Sequence, residues 1–317
     1  MKYDVFNGDA DGICALLQLR QTFPCESKLI SGVKREIDLL KYVPANSEGH
    51  ITVLDISLDK NRSYLKHILI NGSSVLYVDH HFAGKIPVNK NLTAIIDESA
   101  NTSTSALMNK YLSGSRPLWA AVGSYGDNLR SLALEHTVEC ELSDEQNILL
   151  EELGTYINYN GYGESVSDLN FTPQDLFRIL EPYDSPFDFI SDCSFHFQKL
   201  RDSYKNDFSK ALMLKPERFT KTSELYILPN ENWSKRIVGV FSNHLANKNP
   251  ELAHAVLIKN SDRAFLVSVR APINRKFGAS ELCRQFPGGG GRKAAAGINH
   301  LDESLLSKFI SKFEEMY

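Results

Sequence analysis

Val75-Leu76-Tyr77-Val78-Asp79-His80-His81 is the stretch on which the reading of this chain turns. Four apolar, β-prone residues read as a buried strand. The strand ends in a carboxylate and two imidazoles. Two earlier apolar runs end the same way: Val5-Phe6 leads into Asp9-Ala10-Asp11-Gly12, and Ile51-Thr52-Val53-Leu54 ends at Asp55. In an open α/β sheet, the carboxyl ends of parallel strands border the ligand crevice. Acids and imidazole delivered to one such edge would form a metal site.

The rhythm around these strands predicts the fold class. Lys2–Phe6, Lys28–Ser31, Ile51–Leu54 and Val75–Val78 read as strands, and Gly12–Thr22, Ile37–Tyr42 and Asn61–Ile70 as helices. This alternation predicts an α/β fold with a mostly parallel, helix-flanked sheet. Thr102–Leu112 follows a Ser/Thr/Asn cluster and reads as a capped helix. Leu118–Val122 leads into Gly123-Ser124-Tyr125-Gly126-Asp127-Asn128, which reads as a turn-rich loop ending in another acid. Asp144–Tyr159 and Phe195–Leu214 read as helices.

Further along the chain the texture restarts, with strands expected at Leu225–Leu228, Ile237–Phe241, Ala255–Ile258 and Ala264–Arg270. Helix Ala279–Gln285, a glycine-rich segment at 288–297 and a terminal helix at about 302–313 complete it. The expected organisation is a metal-binding catalytic domain over 1–185, a helical connection over 186–222, and a smaller α/β substrate-binding domain over 223–317.

Composition narrows the function. The 317 residues are 42% hydrophobic and 23% charged, with a formal net charge of −4. That is ordinary globular composition. No Lys/Arg-rich block is present, which argues against a long-duplex binder that works through many phosphate contacts. Five scattered cysteines without a C-x-x-C pair (Cys14, Cys25, Cys140, Cys193, Cys283) suit reduced thiols. No apolar run approaches the ~20 residues of a membrane span. A cytoplasmic protein is expected.

Mixed carboxylate and imidazole donors suit Mn²⁺ or Fe²⁺ better than Mg²⁺. Two cations roughly 3.5–4 Å apart clamp a phosphoryl group during hydrolysis. Asp9 and Asp11, two apart on an extended strand end, would point to the same side, and Gly12 would allow a sharp turn into the next helix. Taken singly, each element has a bland reading as a turn or cap residue. All four, in this order and on strand ends, favour the metal reading.

These segments resemble the four motifs of the DHH phosphoesterase family, named for its Asp-His-His: Phe6–Gly12, Val53-Leu54-Asp55, Val78–His81 and Gly123–Asn128. Residues 288–297 resemble the glycine-rich motif of the DHH-associated domain. The resemblance implies that Asp9 binds a first metal and Asp11 a second, with Asp55 bridging them. His80 and Asp127 would complete the second site. Asp79 would bind metal or orient His80, and His81 would lie nearer the substrate phosphate. Asp79, His80 and His81 are thus the expected catalytic residues. Many family members have histidine or aspartate ahead of the D-x-D pair, where this chain has Asn7.

The glycines Gly289, Gly290 and Gly291 could converge backbone N–H groups on an anion, with Arg292 adding a fork for phosphate or a guanine edge. Related nanoRNases usually carry histidine after the glycines. Arg270, at a strand end, is a further candidate for substrate binding, and Asn274, Arg275 and Arg284 are weaker ones. The Thr102–Ser105 cluster could offer a helix N-terminus to phosphate. Tyr125, Tyr156, Tyr159 and Tyr162 could stack on a base, although packing is the commoner role.

The resemblance implies a Mn²⁺-type phosphodiesterase that cuts short 5′-phosphorylated RNA, with Mg²⁺ or Fe²⁺ as substitutes. The specific expectation is a dinucleotide such as linear pGpG. A broader nanoRNase, a 3′-phosphoadenosine 5′-phosphate phosphatase and a nucleotide-binding regulator with a degenerate metal site are the alternatives. Association of two copies through the first domain's helices is left open.

Overall fold

The computed structural model describes residues 1–192, 194–260 and 262–317. Cys193 lies outside the described residues; Cys14, Cys25, Cys140 and Cys283 are free thiols. The chain divides into two compact units, Met1–Asp202 and Ser203–Tyr317.

The first unit is built on five parallel strands in the order β2-β1-β3-β4-β5: β1 (Lys2–Phe6), β2 (Lys28–Ile30), β3 (His50–Leu54), β4 (Ser74–Asp79) and β5 (Leu92–Ile96). Helix α1 (Ala10–Thr22) follows β1, and α2 (Leu58–Ile70) follows β3. Parallel neighbours need such crossovers, since a two-residue turn cannot return the chain. Val5, Val53, Val75 and Tyr77 are fully or almost fully buried and share one apolar cluster with Ile51, Leu65 and Ile68. The parallel α/β sheet expected from the strand rhythm is therefore present.

Helices make up the remainder of this unit: α3 (Thr104–Tyr111), α4 (Pro117–Gly126), α5 (Arg130–Thr137), α6 (Asp144–Gly161), α7 (Pro173–Leu180) and α8 (Pro186–Asp192), with α9 (Ser194–Leu212) running across the division. The expected loop at 123–128 is a correction. Gly123 to Gly126 form the last turn of α4, and Asp127 is its C-cap. The glycines serve packing here. A Cβ on Gly123 would lie 2.1 Å from Ser105 Oγ, and one on Gly126 would lie 2.3 Å from Ala10 Cβ.

Two further local readings change. Asp9 and Asp11 do not share an extended strand end. Asp9 is the extended N-cap of α1, accepting from Gly12 N at 3.1 Å, and Asp11 lies in the first helical turn. Gly12 is a buried helical residue with no sharp turn to make; a Cβ there would meet the Asn7 carbonyl oxygen at 2.3 Å.

The second unit is a six-stranded sheet in the order β10-β11-β9-β8-β7-β6. Its elements are β6 (Arg218–Phe219), β7 (Ser223–Leu228), α10 (Asn232–Lys248), β8 (Ala253–Lys259), β9 (Ala264–Arg270), α11 (Ala279–Cys283), β10 (Gly289–Gly291), β11 (Ala295–Asp302) and α12 (Leu306–Met316). The expected strand at Ile237–Phe241 is wrong: it is the middle of α10. Trp233, Ile237, Val238, Phe241 and Leu245 are buried at spacings of three and four, which is the helical period. Strands β7 and β8 pair in parallel, and α10 is the crossover that this requires. A short apolar run cannot by itself separate the two cases.

Candidate metal centre

Four strands of the first unit end at one cluster of side chains. Leaving β1, Asp9 and Asp11 enter α1. Lys34 follows β2, Asp55 follows β3, and β4 ends in Asp79, His80 and His81. Asp127 arrives at the C-terminus of α4. Asp9, Asp11, Asp55, Asp79 and His80 are buried, and Asp127 is nearly so. Asp55 has a left-handed backbone, φ +60°, with its N–H bonded to the Val78 carbonyl at 3.1 Å. A non-glycine residue held there is strained, and such strain gathers at functional sites.

His80 is the hub. Its Nδ1 lies 2.9 Å from the Thr102 carbonyl oxygen, which can only accept, so Nδ1 carries the hydrogen. Nε2 then faces Asp127 Oδ2 at 3.4 Å, Asp55 Oδ1 at 3.5 Å and Asp11 Oδ2 at 3.9 Å. An imidazole lone pair amid three carboxylates is unfavourable unless a proton or a cation lies between them. One ligand atom each from Asp11, His80 and Asp127 lies within 4.8 Å of the others, and the same holds for Asp55, His80 and His81. At that separation two carboxylate charges repel by about 3–4 kcal/mol at an effective dielectric near 20. This buried mixture of nitrogen and carboxylate donors fits a divalent transition metal.

Burial and the neighbouring Asp127 raise the Asp11 carboxyl above its ordinary range, against a lowering contribution from His80. Burial, followed by the fields of Asp9, Asp11, Asp127 and Asp79, holds Asp55 well above it. Both shifts express the same crowding of negative charge.

Of the two roles expected for Asp79, metal binding or orientation of His80, the geometry bears on the second. Asp79 Oδ1 lies 2.7 Å from Nδ1 of His81, not of His80. Asp79 therefore orients His81, while the Thr102 carbonyl orients His80. His81 is about one-third exposed and presents the open side of the cluster.

Helix α3 has a different use from the one expected. Its first N–H groups are already taken: Thr104 N and Ser105 N each donate to an Asp11 carboxylate oxygen at 2.7 Å. Ser105 Oγ donates to the Asp11 carbonyl at 2.8 Å, and Thr104 Oγ1 donates to Asp55 Oδ1 at 3.0 Å. The anion at this helix N-terminus is Asp11 itself. The Ser/Thr cluster was visible in sequence; its partner 93 residues earlier was not.

Lys34 was missed altogether. Its ammonium donates to Asp9 Oδ2 at 2.6 Å, Asn158 Oδ1 at 2.8 Å and Asp127 Oδ1 at 3.1 Å. Burial opposes its charge, but Asp127 and Asp9 outweigh it and hold the ammonium well above the usual lysine range. A lone lysine after a three-residue strand carries no motif. Asn7, also buried, donates from Nδ2 to the Lys34 carbonyl at 3.3 Å.

The glycine-rich segment lies in the second unit. Gly289, Gly290 and Gly291 form the edge strand β10, paired antiparallel with Ile298, Gly297 and Ala296, instead of an anion nest. Gly289 is obligatory: a Cβ would lie 1.9 Å from the Cys283 carbonyl oxygen. Arg292 is exposed, and its N–H closes the hairpin onto Ala295 O at 2.8 Å. Arg270 Nε donates to Asn243 Oδ1 at 2.8 Å, and Nη1 donates to Ser268 Oγ and Val269 O at 3.1 Å each. Tyr125, Tyr156 and Tyr159 are buried packing residues, and Tyr162 lies beside Lys34.

The comparisons agree with this architecture. The DHHA1 domain family matches residues 222–317. No curated protein matches the chain in sequence. A manganese-bound RecJ exonuclease is similar over 99% of this chain and 89% of its own, with 16% identity and a TM-score of 0.65. RecJ from Thermus thermophilus in complex with Mg²⁺ is similar over 99% of this chain and 49% of its own (16%, TM-score 0.55). A pGpG-specific phosphodiesterase, PggH from Vibrio, is similar over 100% and 99% (12%, TM-score 0.54). Among the described residues, no helix is long and apolar enough to cross a membrane. The similarity to the DHHA1 domain family covers residues 222–317, and the fold shared with RecJ extends over 99% of the chain.

Proposed function

We propose that this chain is a divalent-metal-dependent phosphodiesterase that hydrolyses short 5′-phosphorylated RNA, with the linear dinucleotide pGpG as the first substrate to test. The observation that carries the reading is His80, whose Nε2 faces Asp11, Asp55 and Asp127 at 3.9, 3.5 and 3.4 Å. Similar proteins described as bound to manganese or magnesium, and as acting as an exonuclease or on pGpG, support it.

Asp11, Asp55, His80 and Asp127 would hold the cation, with Mn²⁺ the preferred ion. A cation held there supplies Lewis-acid stabilisation of phosphoryl charge and activation of water. Thr104 and Ser105 fix the angle at which Asp11 presents its oxygens. His81, oriented by Asp79, is positioned to hydrogen-bond a phosphate oxygen or the leaving group. Substrate recognition is assigned to the DHHA1 domain, through Arg292 and the open backbone at Gly290, where a Cβ would meet nothing within 4 Å.

The test is a Mn²⁺ turnover panel of 5′-phosphorylated oligomers from two to seven nucleotides, with phosphoadenosine phosphate and cyclic dinucleotides included. Dinucleotides are expected to turn over fastest, pGpG ahead of pApA. Equal rates for the two would remove the guanine preference. Tight binding without turnover of any member would replace the enzyme reading with that of a nucleotide-binding regulator.

A further inference from the structure

We infer that this centre takes one divalent cation, not two, and that the Lys34 ammonium is its built-in second cation; the inference rests on the metal-dependent reading above. An ammonium has three donors and no acceptor. Lys34 directs them at three oxygens, on Asp9, Asn158 and Asp127, at 2.6, 2.8 and 3.1 Å. Its backbone is fixed as well, with N–H bonded to the Gly161 carbonyl at 2.8 Å and its own carbonyl accepting from Asn7.

Asp127 divides the acids into two sets. Its Oδ1 faces the ammonium and its Oδ2 faces His80 Nε2. On the imidazole side lie Asp11, Asp55, His80 and this Asp127 oxygen, a donor set for one dication. On the other side lie Asp9 and the second Asp127 oxygen, both engaged by Lys34. Asn7 adds no charge there; its amide nitrogen is spent on Lys34, and its buried Oδ1 lacks a hydrogen-bond partner among the described residues.

Electrostatics points the same way: a second dication beside Asp9 would press against the partly buried Lys34 ammonium, which already engages Asp9 and Asp127. A dication bound to Asp9 Oδ2 and Asp127 Oδ1 would have to displace the Lys34 ammonium first.

The experiment is a count of bound Mn²⁺ per chain on chelator-stripped, dialysed full-length protein, by calorimetric titration and elemental analysis, with electron paramagnetic resonance on the same samples. The wild-type chain is expected to bind one ion with the six-line spectrum of an isolated Mn²⁺. The double variant Asn7→Asp with Lys34→Ala is expected to bind two ions and give an exchange-coupled spectrum. Lys34→Gln, which keeps a hydrogen-bond donor without the charge, is the milder variant and is expected to gain a second, weaker ion. Circular dichroism checks that each variant folds.

Two coupled ions in the wild-type chain would overturn the inference and leave the metal reading standing. So would folded variants that stay at one ion. A wild-type chain that binds no Mn²⁺ would overturn the metal reading itself.

Discussion

Asp55 concentrates the cost of the centre in one residue. It has left-handed backbone, is nearly inaccessible, and lies in the field of Asp9, Asp11, Asp127 and Asp79. Its ordinary pKa is 3.8 and its folded value is raised. In metal-free protein the unfolded chain therefore ionises first. Stability from this group is complete below pH 3.8 and drains away as pH rises through the folded value. Asp55→Asn relieves the charge and still tolerates φ > 0. It is expected to raise the melting temperature of metal-stripped protein at pH 7.5 by roughly 2–4 °C for each ~1 kcal/mol relieved, while abolishing turnover. A lower melting temperature in that variant would show that crowding is not what Asp55 costs. The partner prediction concerns His81. Asp79→Asn keeps an acceptor oxygen but loses the charge behind the ring, so kcat is expected to fall by about 10–100-fold with the count of bound Mn²⁺ unchanged. Loss of the ion would place Asp79 among the ligands instead.

At the scale of elements, helices α1, α3 and α4 meet through small residues so that side chains can reach the centre. Gly123 is the contact most exposed to test. Its missing Cβ leaves room for Ser105 Oγ, and Ser105 in turn holds Asp11. Gly123→Ala is expected to cost about 1–3 kcal/mol in denaturant unfolding and to weaken Mn²⁺ binding, because the displaced group supports Asp11, a proposed ligand. Unchanged affinity in a folded variant would uncouple the two. This packing also marks the limit of what the sequence conveyed. Strands β1, β3 and β4 were legible because buried parallel strands are short apolar runs, and their terminal acids stand out against them. Gly123-Ser124-Tyr125-Gly126 was misread because glycine signals turns more often than helix contacts. Ile237–Phe241 was misread because a short, largely apolar run suits either period. Lys34, Thr104 and Ser105 were hidden for another reason. Their meaning lies in partners dozens of residues away, and no local pattern records them.

For the molecule as a whole, pH acts with opposite signs at the buried histidines and at the crowded acids. His254, fully buried in β8, has its pKa lowered by burial, against a raising bond to Asn249 O and the field of Glu224. Below its ordinary value of 6.5, the unfolded chain takes up a proton that the native one refuses. Stability is whole above 6.5 and lost as pH falls toward the lowered value. Metal-free protein should therefore lose stability on acidification through His254 and on alkalinisation through the crowded acids of the first unit. His254→Gln is expected to flatten the slope of melting temperature between about pH 6.5 and 5.5. An unchanged slope would assign it to His50, His136 or His244, whose values burial also lowers.

The bond between the first turn of α3 and Asp11 has a consequence for synthesis. Asp9 and Asp11 leave the ribosome well ahead of the groups that orient Asp11, which follow 93 and 94 residues later, and of Asp127, which comes later still. At roughly 5–20 residues per second, a nascent chain carries Asp9 and Asp11 for several seconds before these groups can arrange them. A translation product stopped short of residue 127 should therefore be chelator-indifferent, and one extended through α6 chelator-sensitive in its protease resistance. The order of the motifs along the chain becomes a timetable: Asp9 and Asp11 wait, and the centre closes only when Asp127 arrives.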